Sequence, residues 1–337
     1  MRPASNSNSK SKSGERKRPG AARSALVVAP GTAERPTLRV TVLAGGPSAE
    51  RAVSLESGRA VADALRRRGH QVCLADIGPE QLEALDHPAD VVFPALHGTF
   101  GEDGTVQQLL AARGLRFVGS DARASAVAID KAATKARVAA AGLPTPQYEV
   151  WKAEDLAARS APGLPLPVIV KPVDQGSSVG TTIVRDQPEF LPAVRLTTMT
   201  FGRALVEEFI VGRELTVGII GGQALPPICI RPKRPFYDYE AKYLDDQTEY
   251  LFETGYEPAL LEQAQTLSRR VFDLLGCRHL ARVDWMVDAD NGLWFLEINT
   301  IPGFTGHSLV PKAAAKIGIA FDDLVERLVR MALEDPA

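Results

Sequence analysis

The chain has 337 residues, with 39 lysines and arginines against 41 aspartates and glutamates, a formal net charge of −2. Hydrophobic residues make up 45% and charged residues 24%, the composition of a soluble globular protein long enough for two or three domains. No apolar run approaches the ~20 residues that span a bilayer, and Cys73, Cys229 and Cys277 are too scattered for a disulfide scaffold or a metal knuckle and read as reduced core thiols.

The charge is unevenly spread. Residues 1–24 hold seven basic groups and one acid, a net of +6, which leaves the remainder at −8. The Ser-, Asn-, Lys-, Arg- and Pro-rich composition of 1–36 predicts a disordered tail. That tail is the one segment suited to nucleic acid or anionic lipid, and it shares its Arg/Ser bias with transit peptides.

Order is expected to begin with a strand at 38–43 that stops at Gly45-Gly46. An amphipathic helix follows, with Val61, Ala64 and Leu65 on one face, Arg66 to Arg68 near its C-terminus and Gly69 closing it. Strands at 72–75 and 91–96 extend a βαβ pattern and so predict a parallel sheet. A helix around 106–113 ends at Gly114, and Phe117-Val118 open another strand. An Ala-rich helix is predicted over 121–141, and Pro144-Thr145-Pro146 marks a domain boundary. Strands at 168–171 and 182–184 flank a glycine-rich loop at 175–180, with further strands at 204–209 and 215–220. Residues 231–249 form a long irregular stretch, 258–276 the best amphipathic helix, and 280–299 a hairpin.

Three segments carry chemistry. Side chains alternate along a strand, so Arg282 and Asp284 share one face of the hairpin's first strand, and Glu297 and Asn299 one face of its second. Charges set among Val283, Trp285, Phe295 and Ile298 need partners. Their oxygens suit a hard cation such as Mg²⁺, and an internal ion pair with Arg282 satisfies them equally well. In the loop Gly176-Ser177-Ser178-Val179-Gly180, small residues and hydroxyls suit phosphate oxygens, with Lys171 at the end of the preceding apolar strand; the loop matches neither a Walker A sequence nor a dinucleotide fingerprint. The loop at 97–104, beginning His97-Gly98, lies at a strand's C-terminal end, where ligands gather in open α/β sheets, and His97 reads equally as functional or structural.

Together these blocks resemble the D-alanine–D-alanine ligase family of ATP-grasp enzymes: LAGGPSAERAVSLESG at 43–58, HGTFGEDG at 97–104, IVKPVDQGSSVG at 169–180, FYDYEAKYL at 236–244, ARVDW at 281–285 and EINTIPGFTGHSLVP at 297–311. The similarity covers about 37–333 and leaves out only the tail. It implies an α/β fold of the ATP-grasp type: an N-terminal parallel α/β domain at 37–125, then central (126–212) and C-terminal (213–337) α+β domains clasping ATP. It further implies that Lys131 and Lys171 contact the phosphates under the loop that includes Gly176 and Ser178, with Lys242 beside the nucleotide. Glu207, the backbone of Glu208 and Ile210, and Glu214 match adenine and ribose contacts, and Asp284, Glu297 and Asn299 match ligands of two Mg²⁺ or Mn²⁺ ions.

The same resemblance puts Glu50 at the first D-alanine's ammonium, in a hydrogen-bonded set with Ser177 and Tyr243, and His97 near that substrate. Arg282 and Gly303 match donors to the oxyanion, and Ser308 and Leu309 match receivers of the second D-alanine. The implied reaction makes D-alanyl-D-alanine through an acyl phosphate, for peptidoglycan precursors, in a cytoplasmic homodimer with small-molecule substrates and neither nucleic acid nor membrane as partner. Tyr243 favours an amine nucleophile over the lactate hydroxyl used by ester-forming relatives, and together with the HSLVP block it argues against a D-alanine–D-serine ligase or another carboxylate–amine ligase. A non-catalytic nucleotide-binding module is disfavoured because Arg282, Asp284, Glu297 and Asn299 are all present together.

Overall fold

The computed structural model describes residues 36–231 and 248–335. The basic tail to residue 35, and most of the 231–249 stretch with Lys242 and Tyr243, lie outside the described residues.

The first sheet is built from β1 (Arg39–Gly45), β2 (Gln71–Ile77) and β3 (Val91–Pro94), in the order β2-β1-β3 and parallel throughout. The central β1 is buried from Val40 onward because both of its faces are covered, as parallel sheets require. On one side Val40 and Val42 pack with Val61 and Leu65 of α1 (Arg51–Arg67) and with Leu324 and Leu328 of the terminal helix. On the other, Leu43 and Val92 pack with Val106 and Leu110 of α2 (Thr105–Ala112). Phe117-Val118 does not open a strand: a single bridge joins Phe117 to Val92, and the chain then turns away at Gly119.

The predicted helix over 121–141 is two helices, α3 (Ala122–Ile129) and α4 (Lys131–Ala140). Asp130 breaks it: its backbone is extended and its carboxylate caps α4 by accepting the Ala133 N–H at 2.8 Å. Alanine periodicity hides such a break, since an aspartate within a helical run gives only a weak signal. The consequence is functional, because the break sets Lys131 at the first turn of α4, beside the glycine-rich loop.

The second sheet is antiparallel, β4-β7-β5-β6, from β4 (Tyr148–Lys152), β5 (Val168–Pro172), β6 (Thr182–Val184) and β7 (Arg203–Glu208). Helix α5 (Gln187–Phe201) covers one face, with Phe190 and Val194 against Trp151, Val168 and Val170. The alternation along β5 sends Ile169 and Lys171 to the opposite face.

The third sheet runs β11-β10-β8-β12-β13, with the short β9 (Gln223–Ala224) beside β8 (Gly212–Ile220). Its other members are β10 (Ile228–Arg231), β11 (Glu249–Leu251), β12 (Leu280–Asp288) and β13 (Leu293–Asn299). Helix α6 (Pro258–Leu275) lays Leu260, Ala264, Leu267 and Val271 on Trp285, Val287 and Phe295. The chain closes with α7 (Leu309–Lys316) and α8 (Phe321–Glu334). Seven elements, β4, α5, β9, β10, β11, α7 and α8, lie where the sequence reading had none. Their apolar faces are legible only in part, because Pro192 interrupts α5 and α7 is two turns long. Among the described residues no helix is long and apolar enough to cross a membrane.

Candidate active site

The hairpin β12–β13 carries the polar face that the sequence pattern predicts. Arg282 pairs across the strands with Asn299, and Asp284 with Glu297, so all four side chains share one face. Strict alternation would put Phe295 on that face too. A bulge after Asp284 shifts the register so that Phe295 meets Trp285 in the core, the rings edge to face at 5.7 Å. Leu296 thereby joins Glu297 on the wall of an open cleft.

That cleft gathers side chains from distant parts of the chain. Glu50, His97, Lys171, Gly176, Ser177, Ser178, Glu214, Arg282, Asp284, Glu297, Asn299, Gly303, Ser308 and Leu309 all line it. Lys131 lies in an adjoining smaller pocket that shares Gly176, Glu297 and Asn299 with the cleft. Among the described residues, three of the predicted ones line neither pocket. Glu207 is buried behind the cleft wall, and Glu208 and Ile210 stand partly exposed at the end of β7.

Cations and carboxylates are closely matched. Arg282 holds Asp284 with Nε and Nη2 at 2.8–3.1 Å, and Thr216 donates its hydroxyl to the same carboxylate at 2.6 Å. Lys131 Nζ lies 3.2 Å from Glu297 and donates to the Gln175 carbonyl at 2.6 Å. Behind the wall, Glu207 is clasped by two lysines, Lys135 on one carboxylate oxygen and Lys171 on the other, each at 2.5 Å. Burial opposes the Glu207 charge, yet the two lysines outweigh it and hold the carboxyl below its ordinary value. Burial likewise opposes the Lys171 charge, but Glu207 prevails and lifts its pKa, whereas Lys135, wholly enclosed, is pulled down to about 8. Sequence reasoning missed Lys135, since a lysine in an Ala-rich helix looks like a solvated face.

On the opposite side of the cleft, Glu50 sits at the start of α1 and accepts a hydrogen bond from the Ser177 hydroxyl, which joins the glycine-rich loop to the first sheet. Ser177 and Ser178 both have left-handed backbone, a conformation that turns the loop over the cleft. A side chain at Gly98 would be strained, because its φ is +68° and a Cβ there would come within 3.0–3.2 Å of Ser48 and Glu50. His97 donates from Nδ1 to the Ile301 carbonyl at 3.0 Å, and Nε2 faces the Ser57 hydroxyl at 3.4 Å. Burial lowers its pKa, so it is a neutral imidazole tying the 97–104 loop to the segment after β13.

Glu102 is the second residue that sequence reasoning passed over. One carboxylate oxygen accepts the Gly98 N–H at 2.6 Å and the other is buried without a hydrogen-bond partner. Burial, reinforced by the Glu50 charge, pushes its carboxyl up to about 8. At the far end, Ser308 stands at the N-cap position of α7, and its hydroxyl accepts the Thr305 N–H of the preceding loop at 2.8 Å. The positive end of that helix therefore opens on the cleft beside Gly303, where it suits a carboxylate.

Among the described residues no group of three or more His, Cys, Asp and Glu side chains is close enough to hold a metal ion. Asp284, Glu297 and Asn299 nevertheless present hard oxygen donors in register on one cleft face, a donor set that fits Mg²⁺ once Arg282 releases Asp284.

Comparison with known proteins gives one consistent result. The family model described as D-ala D-ala ligase C-terminus matches residues 138–330, and that described as D-ala D-ala ligase N-terminus matches 75–120. The D-alanine–D-alanine ligase of Syntrophotalea carbinolica is 44% identical over 292 residues, spanning 86% of this chain and 95% of that one. The crystal structure of the Bacillus anthracis D-alanine–D-alanine ligase superposes with a TM-score of 0.78 at 32% identity, over 88% of this chain and 98% of that chain. A structure of the same enzyme complexed with ATP gives 0.76 at 31% identity, over 89% and 98%.

Proposed function

The chain belongs to the D-alanine–D-alanine ligase family, and from that premise we propose that it joins two D-alanine molecules into D-alanyl-D-alanine at the expense of ATP, for peptidoglycan precursors. The observation that carries this reading is the single cleft in which the phosphate candidates Lys171 and the 176–180 loop face the hairpin carboxylates and the Glu50–Ser177 pair. Three domains, 37–125, 126–212 and 213–337, enclose it, with the nucleotide between the last two.

The carboxylate of one D-alanine attacks the γ-phosphorus of ATP, forming D-alanyl phosphate and releasing ADP. The amine of the second then attacks the acyl carbon, phosphate leaves, and a proton is lost. Both steps gather negative charge in a confined space, so catalysis rests on positioning and neutralisation. Lys131 and Lys171 meet the phosphates, and the Gly176–Ser178 backbone with the Ser178 hydroxyl closes over them. Glu208 and Ile210 present backbone to adenine, Glu214 takes the ribose hydroxyls, and Lys242 joins from the segment outside the described residues. Asp284, Glu297 and Asn299 would hold the two Mg²⁺ or Mn²⁺ ions, which, when bound, neutralise and orient the transferring phosphate.

Glu50, fixed by Ser177, pairs with the ammonium of the first D-alanine, and neutral His97 holds its loop against the same substrate. Arg282 and the Gly303 N–H serve the tetrahedral oxyanion, a role in which one donor is worth ~10²–10³ in rate. Ser308 and Leu309, at the positive end of α7, receive the carboxylate of the second D-alanine. Tyr243 completes the Glu50–Ser177 set and favours an amine nucleophile. A cytoplasmic homodimer, with neither nucleic acid nor membrane as partner, completes the reading.

The deciding experiment measures ADP release with D-alanine, L-alanine, D-serine and D-lactate and identifies the products. D-alanyl-D-alanine formed from D-alanine alone is expected; ADP release without a dipeptide, or a predominant ester, would overturn the proposal. Glu297→Ala should lower turnover on the order of 10³-fold or more, the scale of losing several kcal/mol of charge stabilisation at the transferring phosphate.

A further inference from the structure

Lys135 has no place in the chemistry above, yet it is the most enclosed cation among the described residues. Its side chain is 0% exposed, whereas that of Lys171, which lines the cleft, is 13% exposed. The Lys135 ammonium forms an ion pair with Glu207 at 2.5 Å and donates to the Thr145 hydroxyl at 2.8 Å and the Phe295 carbonyl at 3.1 Å. Thr145 in turn donates to the Phe295 carbonyl at 2.9 Å. Lys135 therefore fastens α4 to β7 of the second sheet and to β13 of the third, two residues before Glu297.

Lys171 is in a different position. In the structure it is paired with Glu207, but it must turn toward a phosphate to act on a nucleotide. If Lys171 were the sole partner of Glu207, that turn would strand a carboxylate whose side chain is only 1% exposed, and buried charges left unpaired are costly. We propose that Lys135 is a positioning residue for the phosphate end of the nucleotide: as the standing counter-ion of Glu207, it leaves Lys171 free to exchange that carboxylate for phosphate. The inference rests on the reading of Lys171 as a phosphate contact. It assigns Glu207 a task behind the cleft wall, as the shared acceptor of two lysines with different freedom to move.

The test compares ADP with adenosine, which lacks phosphate, by calorimetry on the full chain. K135M is expected to weaken ADP on the order of ten- to a hundredfold, the range of a lost charge-assisted hydrogen bond. Adenosine affinity should stay within twofold, and K135R should restore ADP binding. Undiminished ADP affinity in K135M, or equal losses for ADP and adenosine, would overturn the proposal, since a merely structural lysine affects both ligands alike. K171M separates the two levels: unchanged ADP affinity there sinks the phosphate reading itself, whereas a loss in K171M without one in K135M sinks only the role of Lys135.

Should K135M fail to fold, lysine side-chain ammonium NMR on the unaltered protein decides the matter. Addition of ADP should move the Lys171 resonance and leave that of Lys135 in place. Movement of both together would show that Lys135 is no fixed counter-ion.

Discussion

Two ion-pair networks tie distant parts of this chain together, and they differ in the solvent around them. The Lys135–Glu207–Lys171 cluster is enclosed between the second and third sheets. The other runs from the end of α1 and the start of β2 to α8: Arg67 on Asp322 at 2.7 Å, Arg68 on Asp323, and His70 on Glu326, which also takes Arg330 at 2.8 Å. Arg67 and Arg68 of that strap are exposed, so water competes for both ions of their pairs and the net gain is small. In the cluster Lys135 and Glu207 are shielded from solvent and only Lys171 reaches the cleft, so each buried charge depends on its partners.

The contrast breaks most sharply at Glu207. Glu207→Ala would leave two buried lysines without an acceptor and should destabilise the fold by about 3–5 kcal/mol in urea titrations; a loss below about 1 kcal/mol would mean that water reaches the lysines after all. The buried part of the strap comes next. His70 accepts the Leu38 N–H on Nδ1 at 3.1 Å, so it is Nε2–H that donates to Glu326. Burial raises the Glu326 carboxyl, but His70 and Arg330 outweigh it and leave the pKa below 4.5. A depressed carboxyl stabilises above its unfolded pKa, and that contribution is lost as pH falls through the folded value. Glu326→Gln should cost about 1–3 kcal/mol at pH 7, with a smaller deficit below pH 4.

Glu102 sharpens the comparison from the opposite side, as a buried acid with no cation bonded to it. Its folded pKa of about 8 lies above the ordinary 4.5, so the native state holds a proton that the unfolded chain releases. Stability therefore falls as pH rises from 4.5 toward 8. Glu102→Gln should melt like the unaltered protein at pH 4 and higher at pH 9, by on the order of 2–4 °C; a parallel pH profile in both proteins would refute the assignment. The smallest effect belongs to the exposed strap, where Arg67→Ala should cost ~0.2–1 kcal/mol, and less in 1 M salt.

Much of the site could be read directly from the chain. The two-residue spacing of Arg282 and Asp284, and of Glu297 and Asn299, already placed each pair on one strand face, and the antiparallel register brought the pairs opposite one another. The glycines and serines of 176–180 announced a loop that could approach a phosphate or a carboxylate, and Ser177 does reach Glu50. What could not be read was the identity of the cations' partners. Lys131 and Lys135 are one turn apart on the same helix and look alike in sequence, yet one reaches Glu297 and Gln175 while the other is walled in by Phe295 and Glu207. Glu102 lay inside a recognised block with no sign that its second oxygen would be buried without a partner.

The amino-acid sequence by itself determined the alternation of strands and helices in the first third, the polar face of the hairpin, the glycine-rich loop and the family. These are decided by periodicity and local backbone chemistry, which act over a few residues. The break at Asp130, the bulge after Asp284 and the enclosure of Lys135 were decided only when sheets far apart in the chain packed together. Packing sets which groups lose water, and loss of water turns an ordinary lysine or glutamate into one whose charge depends on a single neighbour.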